Sequence, residues 1–75
     1  MAYVYKHIRL DNNNVFYVGI GSDSSYKRAN SKSDRNKYWK NIVNKHGYII
    51  EIYKNNISWD EACVIEKELI KYFAI

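Results

Sequence analysis

The sequence predicts a small α+β domain with the element order β-β-α-α-β-α. Two short runs rich in β-branched and aromatic residues begin the chain, and a third run of this kind follows Gly47. Between and after these runs, apolar residues recur at the spacing of helices. The composition is 47% hydrophobic, enough for a packed core, and the sequence contains no proline, low-complexity linker or internal repeat. We therefore expect residues 1–75 to form one domain.

The first two strands are predicted at residues 3–10 and 15–20. Residues 11–14, one Asp followed by three Asn, lie between them. Asp and Asn favour turns because they tolerate left-handed backbone and bond to their own main chain. A connection this short predicts an antiparallel hairpin.

The register of this hairpin decides whether two tyrosines meet. Alternation along the first strand puts one set of side chains on a common face: Tyr3, Tyr5, His7 and Arg9. Tyr17 joins that face only if Tyr5 lies opposite Gly19, which requires a loop of three or five residues around Asn12. A packed aromatic pair without catalytic meaning is the alternative interpretation.

Two helices are predicted before the third strand. Residues 22–33 are polar and indicate a loop that contains a short helix at about 26–30. Ser33 or Asp34 can cap a second helix, which Gly47 is placed to end. The apolar stripe of this second helix consists of Tyr38, Trp39, Ile42 and Val43.

The last third of the chain predicts a strand, a turn and a helix. The strand covers residues 48–53, and the adjacent asparagines at 55–56 indicate a turn. Ser58 and Glu61 have the spacing of a capping box. We therefore expect the final helix to begin here and to run to about Phe73.

Glu66 is anomalous within that final helix. At about 100° per residue, an apolar set lies within about 60° of it: Trp59, Ala62, Cys63, Leu69, Ile70 and Phe73. The other charged residues of the helix lie at least about 100° away. A carboxylate facing a core must be protonated, paired or bound to a cation. A buried Glu paired with an arginine or a tyrosine hydroxyl, or a metal ligand, would both fit this pattern.

Positive charge is concentrated in the middle of the chain. The net charge is +4, and Asp34 is the only acid between residues 26 and 46. Five basic residues there are candidate nucleic-acid contacts: Lys27, Lys32, Arg35, Lys37 and Lys40. Basic side chains interleaved with aromatic ones suit a polyphosphate backbone, although a solvated helix face would have the same composition.

The sequence favours an intracellular setting. Cys63 is the only cysteine, which excludes an internal disulfide and a cysteine-rich metal cluster. The first residues lack the apolar run of a signal peptide, and no segment has transmembrane length. We expect a soluble, cytoplasmic protein that has no membrane partner.

Four motifs in order resemble the catalytic domain of the GIY-YIG nuclease family. Tyr3-Val4-Tyr5 is similar to the first motif, with Tyr3 in place of glycine, and Tyr17-Val18-Gly19 is similar to the second. Arg28 follows where the family has an essential arginine, and Glu66 lies in a helix that resembles A-x-x-x-E-x-x-x-I. The resemblance extends from residue 3 to residue 73.

The resemblance implies a three-stranded antiparallel sheet flanked by helices and a metal-dependent endonuclease that hydrolyses DNA. Glu66 would bind Mg²⁺ or Mn²⁺, Arg28 would bind the phosphate, and Tyr5 or Tyr17 would activate the attacking water. His7 would be an auxiliary polar group, whereas Lys32 replaces a Tyr or His common in the family. The expected partner is double-stranded DNA, with specificity supplied by a homodimer or by a further domain.

Two other functions fit the same sequence. A nuclease-like module without strong catalytic activity would bind DNA or RNA through the basic segment alone. A structural or protein-interaction domain would use Glu66 as a buried, paired acid. The basic middle segment argues against the structural domain, and the acid Glu66 argues against simple backbone binding.

Overall fold

The computed structural model, which describes residues 1–33 and 35–75, contains a three-stranded antiparallel sheet and three helices. The elements are β1 (Ala2–Arg9), β2 (Val15–Gly21), α1 (Lys27–Asn30), α2 (Lys37–His46), β3 (Tyr48–Ile57) and α3 (Trp59–Phe73). The strands lie in the order β2-β1-β3 in the sheet. The α+β class and the element order β-β-α-α-β-α are as predicted.

The helices cover opposite faces of the sheet. Tyr3 and Tyr5 of β1 pack with Ala29 of α1 on one face, and α2 covers the same face further along. Ala2 and Val4 point the other way and pack against α3. This division follows from the alternation of side chains along a strand. The face covered by α1 and α2 is called the tyrosine face, and the other the α3 face.

The hairpin meets the conditions under which Tyr17 shares a face with Tyr5, since five residues, 10–14, separate β1 from β2. Tyr5 lies opposite Gly19 and His7 lies opposite Tyr17, so Tyr17 belongs to the tyrosine face. The turn is closed by the Arg9 N–H bonded to the Asn14 carbonyl at 2.9 Å, which encloses the four residues 10–13. A register shift between His7 and Ile8 inserts one extra β2 residue, and this bulge restores the even register.

Glycine is required where the tyrosine rings cross β2. A Cβ atom at Gly19 would overlap the Tyr5 hydroxyl and ring, and one at Gly21 would overlap those of Tyr3. The rings therefore lie directly over the backbone of the neighbouring strand. This close approach fixes both tyrosines against β2.

Three local predictions are corrected by the structure. The N-cap of α2 is Asn36, whose side-chain oxygen accepts the Trp39 N–H at 2.8 Å; Ser33 is not the cap, and Asp34 is outside the described residues. Asn56 does not turn the chain but lies inside β3 with a φ of 57°, beside a register shift against β1. Tyr38 is 67% exposed and does not join the buried stripe of α2.

The other helix boundaries agree with the sequence. Gly47 ends α2 with a φ of 70°, a conformation that suits glycine. The Ser58 hydroxyl accepts the Glu61 N–H at 3.1 Å, so Ser58 caps the start of α3, as its place in the predicted capping box requires. Among the described residues, no helix is both long and apolar enough to cross a membrane.

Candidate functional site

Aromatic rings form a continuous layer on the tyrosine face. The Tyr5 and Tyr17 ring centroids are 6.1 Å apart, and the Tyr17 ring stacks on His7 at 5.4 Å. Tyr5 is fully buried, whereas Tyr17 is partly exposed. The two residues with candidate catalytic roles are thus neighbours, and Tyr17 is the one that solvent reaches.

Arg35 lies over both tyrosines. Its guanidinium carbon is 5.0 Å from the Tyr17 ring centroid and 5.9 Å from that of Tyr5. Its Nη1 donates to the Tyr5 hydroxyl at 3.3 Å, and the side chain is only 7% exposed. Arg35 was expected among the surface contacts to nucleic acid, but its side chain is buried. Its segment has no helical or strand periodicity, so no pattern in the sequence indicated burial.

Arg28 occupies the exposed side of α1. Its backbone carbonyl accepts a hydrogen bond from Arg35 Nη2 at 2.7 Å. Its charge also acts on Tyr5, since it contributes to lowering the pKa of that phenol. Arg28 is therefore exposed on α1, and its backbone is held by the buried Arg35.

Asp23 fixes the start of α1. Its carboxylate accepts the Lys27 N–H at 2.5 Å and the Tyr3 hydroxyl at 2.8 Å. These bonds, the Lys27 one foremost, lower the pKa of Asp23 to about 2. Burial and then the bond to Asp23 raise the pKa of Tyr3 to about 12. Asp23 lies three residues before Tyr26, the N-cap of α1, so the usual capping position in the sequence did not indicate this role.

His7 connects both helices of the tyrosine face to the sheet. Its Nε2 lies 2.8 Å from the Ala29 carbonyl oxygen, and its Nδ1 accepts the Trp39 indole N–H at 2.9 Å. Because the indole can only donate, the ring is neutral with its proton on Nε2. Burial lowers the pKa of His7 to about 4. His7 is fully buried, and both of its nitrogens already have partners.

The protonation of Tyr5 is determined by opposing effects. Burial raises the pKa of Tyr5, while the hydrogen bond and charge of Arg35 lower it. The neighbouring Tyr17 raises this pKa further, and Arg28 lowers it. Since burial is the largest effect, Tyr5 is a neutral phenol at pH 7.

Glu66 lies on α3 and therefore on the side of the sheet opposite to the tyrosines. Burial raises its carboxyl pKa, and Lys67 partly offsets this effect. Among residues 1–33 and 35–75, no hydrogen bond or ion pair to Glu66 is formed, and no fully buried side-chain oxygen lacks a partner. The carboxylate oxygens therefore reach solvent. The described residues include no arginine or tyrosine hydroxyl paired with it.

β2 lies at one edge of the sheet, so both the tyrosine face and the α3 face border it. A cavity beside this strand is lined by Tyr17 and Val18 of β2 and by Ile70 of α3. Glu66 lies one helical turn before Ile70, and residues at this spacing have Cβ atoms about 5–6 Å apart. Because β2 is hydrogen-bonded only to β1, a ligand at its free edge has access to both faces.

The remaining candidate residues are exposed lysines. Lys27 and Lys32 lie in and after α1, and Lys37 and Lys40 lie on α2. Within the described part of the chain, no group of three or more His, Cys, Asp or Glu side chains is placed to bind a metal ion. Comparison with protein-family models, curated proteins and solved structures gives no match.

Proposed function

We propose that the chain is a divalent-metal-dependent endonuclease domain that hydrolyses DNA phosphodiester bonds, as its resemblance to GIY-YIG nucleases implies. The observation that carries the proposal is the register of the hairpin, which brings Tyr17 beside Tyr5 and beneath Arg35. The partly exposed phenol of Tyr17, beside the buried one of Tyr5, can orient a water molecule, and the exposed Arg28 can bind an anionic phosphate.

Solvent exposure assigns different roles to the tyrosines. Tyr17 is partly exposed and lines the cavity at the β2 edge, so its hydroxyl is the one that contacts the attacking water. Tyr5 is buried and bonded to Arg35, so it orients its neighbour. Arg28 is exposed and always protonated, which suits it to bind the phosphate through two donors.

Glu66 fits a magnesium or manganese ligand. Mg²⁺ is commonly held by one or two carboxylates together with substrate phosphates, and it retains several waters. The Glu66 carboxylate reaches solvent and has no partner among the described residues, so a single protein ligand of this type is available. The ion would neutralise charge that develops on the phosphate during hydrolysis.

The position of Glu66 restricts where DNA binds. Layers packed on a sheet are separated from it by about 10 Å, so Glu66 and Tyr17 can act on one phosphate only near the edge of β2. The exposed lysines 27, 32, 37 and 40 would bind flanking phosphates of double-stranded DNA. A second copy or a further domain would supply sequence specificity.

Plasmid nicking tests this function with matched variants. Supercoiled DNA is incubated with the protein and Mg²⁺ or Mn²⁺, and the loss of supercoiled form is followed on gels. We expect Glu66→Gln and Arg28→Met to lower the rate at least about 100-fold, since each removes charge stabilisation of the transition state. Glu68→Gln is the control for Glu66→Gln because Glu68 is exposed on the same helix.

Two outcomes would contradict the proposal. Cutting without metal would exclude the role of the ion, and full activity of Glu66→Gln would exclude that of the carboxylate. The exposed lysines favour one second candidate, a module that binds DNA or RNA without cutting it. Salt-sensitive binding of DNA with no cleavage in either metal would support this candidate.

A further inference from the structure

Within residues 1–33 and 35–75, Arg35 donates three hydrogen bonds, one to β1 and two to α1 and its C-terminal end. Nη1 donates to the Tyr5 hydroxyl of β1 at 3.3 Å, and Nη2 donates to the Arg28 carbonyl of α1 at 2.7 Å. Nε donates to the Ser31 carbonyl, just after α1, at 3.0 Å. One side chain therefore connects the strand that carries Tyr5 to the helix that carries Arg28.

Aromatic rings enclose the same guanidinium. It lies 5.4 Å from the Trp39 ring centroid of α2, in addition to its contacts with Tyr5 and Tyr17. Distances below about 6 Å allow cation–π attraction, which strengthens when water is excluded. The Arg35 side chain thus has a fixed position relative to β1, β2, α1 and α2.

We propose that Arg35 is a positioning residue of the tyrosine face, which holds the hydroxyl of Tyr5, the ring of Tyr17 and the backbone of Arg28 in one arrangement. Its importance for catalysis rests on the nuclease function proposed above. Arg35 does not contact DNA, because only 7% of its surface is exposed and its guanidinium is already bonded to the protein. This assignment replaces the nucleic-acid contact expected from the sequence.

Lysine cannot replace arginine in this role. The planar guanidinium directs donors to three acceptors at once, whereas an ammonium group is a single point charge on a flexible stem. Arg35→Lys therefore keeps the positive charge and loses most of the hydrogen bonds. Arg35→Met keeps the apolar stem and loses both, so the two variants separate charge from geometry.

The charge of Arg35 also has a consequence for pH dependence. The titratable and charged groups around Tyr5 are Tyr3, His7, Tyr17, Arg28 and Arg35. Arg35 lowers the pKa of Tyr5, so Arg35→Met removes this effect while burial remains. A reaction that needs negative charge on the tyrosine pair then requires a higher pH.

The kinetic experiment uses the full chain and a labelled DNA duplex with Mg²⁺. We measure kcat, KM and their pH profiles for wild type, Arg35→Lys, Arg35→Met and Tyr5→Phe, together with DNA affinity in EDTA. Arg9→Met is the control, since Arg9 forms an exposed ion pair with Asp11 in the hairpin, outside the site. Circular dichroism verifies folding, and Arg35→Lys and Tyr5→Phe remain informative if Arg35→Met does not fold.

The expected result is a loss in kcat without a loss in binding. Arg35→Lys should lower kcat by about 10- to 100-fold, the size that small misplacement of catalytic groups produces, while DNA affinity changes less than about twofold. Arg35→Met should in addition shift the pH profile to higher pH, and Arg9→Met should resemble wild type. A raised KM with unchanged kcat and pH profile would make Arg35 a DNA contact and would overturn the proposal.

A second measurement does not depend on activity. The ¹³Cζ resonances of the tyrosines report the surroundings of each hydroxyl, and Tyr5→Phe and Tyr17→Phe assign them. Arg35→Lys should move the Tyr5 and Tyr17 resonances, and Arg9→Met should not. If wild type fails to cut DNA but these resonances move, the nuclease function fails and the positioning role stands. Unmoved resonances would refute that role.

Discussion

Acidification from pH 7 to pH 5 should destabilise the fold through His7. The folded pKa of His7 is about 4, because the ring is fully buried and both of its nitrogens are bonded. In the unfolded chain this pKa is about 6.5. The folded pKa is thus the lower one, so the stabilisation is complete above pH 6.5 and is lost as pH falls towards 4.

The magnitude follows from the two pKa values of His7. As pH falls from 7 to 5, the excess of protons bound by the unfolded chain rises from about one quarter to nearly one, which lowers the free energy of unfolding by about 2 kcal/mol. Partial screening by solvent would reduce this to about 1 kcal/mol. We compare stabilities only down to pH 5, because Asp23 also affects stability at lower pH. The pKa of Asp23 is about 2 in the folded protein, so the stabilisation that it provides is lost only below this range.

Urea unfolding followed by tryptophan fluorescence measures this effect, since Trp39 is buried beside His7. His7→Gln supplies one acceptor and one donor, so it should fold with lower stability but without the loss between pH 7 and 5. His46→Gln, at a partly exposed histidine, should keep the loss. An equal loss in wild type and His7→Gln would refute the reasoning, as would a constant free energy of unfolding in wild type.

Three further predictions concern packing, capping and metal binding. Gly19→Ala should destabilise the fold by about 1–3 kcal/mol, because its Cβ would overlap the Tyr5 ring. The control Ser22→Ala, at an exposed position, should leave the stability unchanged, and urea unfolding measures both variants. Ser58→Ala removes the cap of α3 and should cost about 1 kcal/mol in the same assay, and no change would show that Ser58 does not cap the helix in solution. Mn²⁺ broadens the NMR signals of residues close to where it binds, so a titration locates its site. The signals of residues near Glu66 should broaden in wild type and in Glu68→Gln but not in Glu66→Gln. Equal broadening in all three proteins would exclude Glu66 as a ligand.

Most of the fold could be predicted because its signals are local. The hydrophobic spacing, the capping box at Ser58 and the glycine at 47 are each contained within a few residues, so the sequence located β1, β2, α2 and α3. The start of α2 was ambiguous, since Ser33, Asp34 and Asn36 are all suitable caps. Asn36 is the cap that places Trp39 where its indole reaches His7, a tertiary requirement that no local pattern contains.

The candidate site was only partly predictable for the same reason. Parity gave only the condition for a common face of Tyr5 and Tyr17, and the structure meets this condition with a bulge at Phe16 that no residue pattern indicated. The burial of Arg35 depends on aromatic rings from three separate elements; Trp39 is four residues away, but Tyr5 and Tyr17 come from strands that are distant in the sequence. Long-range contacts of this kind were therefore the information that the sequence patterns lacked.

Glu66 shows how far a helical wheel can be taken. The wheel centred the apolar stripe on Glu66, yet Ala62 is the fully buried residue of α3, and Trp59 is 52% exposed. Glu66 therefore lies on the flank of the buried stripe, about 40° from Ala62 on an ideal helix. A carboxylate at the centre would need a buried partner, whereas one on the flank can remain partly desolvated and still bind a cation from solvent.

This flank position connects the two halves of the proposed site. Ile70, on the same side of α3 one turn later, lines the cavity that Tyr17 also lines, so this side of the helix faces the free edge of β2. Residues on opposite faces of a sheet can share a ligand only at such an edge. If the chain is a nuclease, its substrate phosphate must bind beside β2, with Glu66 approaching from one face and Tyr17 and Arg28 from the other.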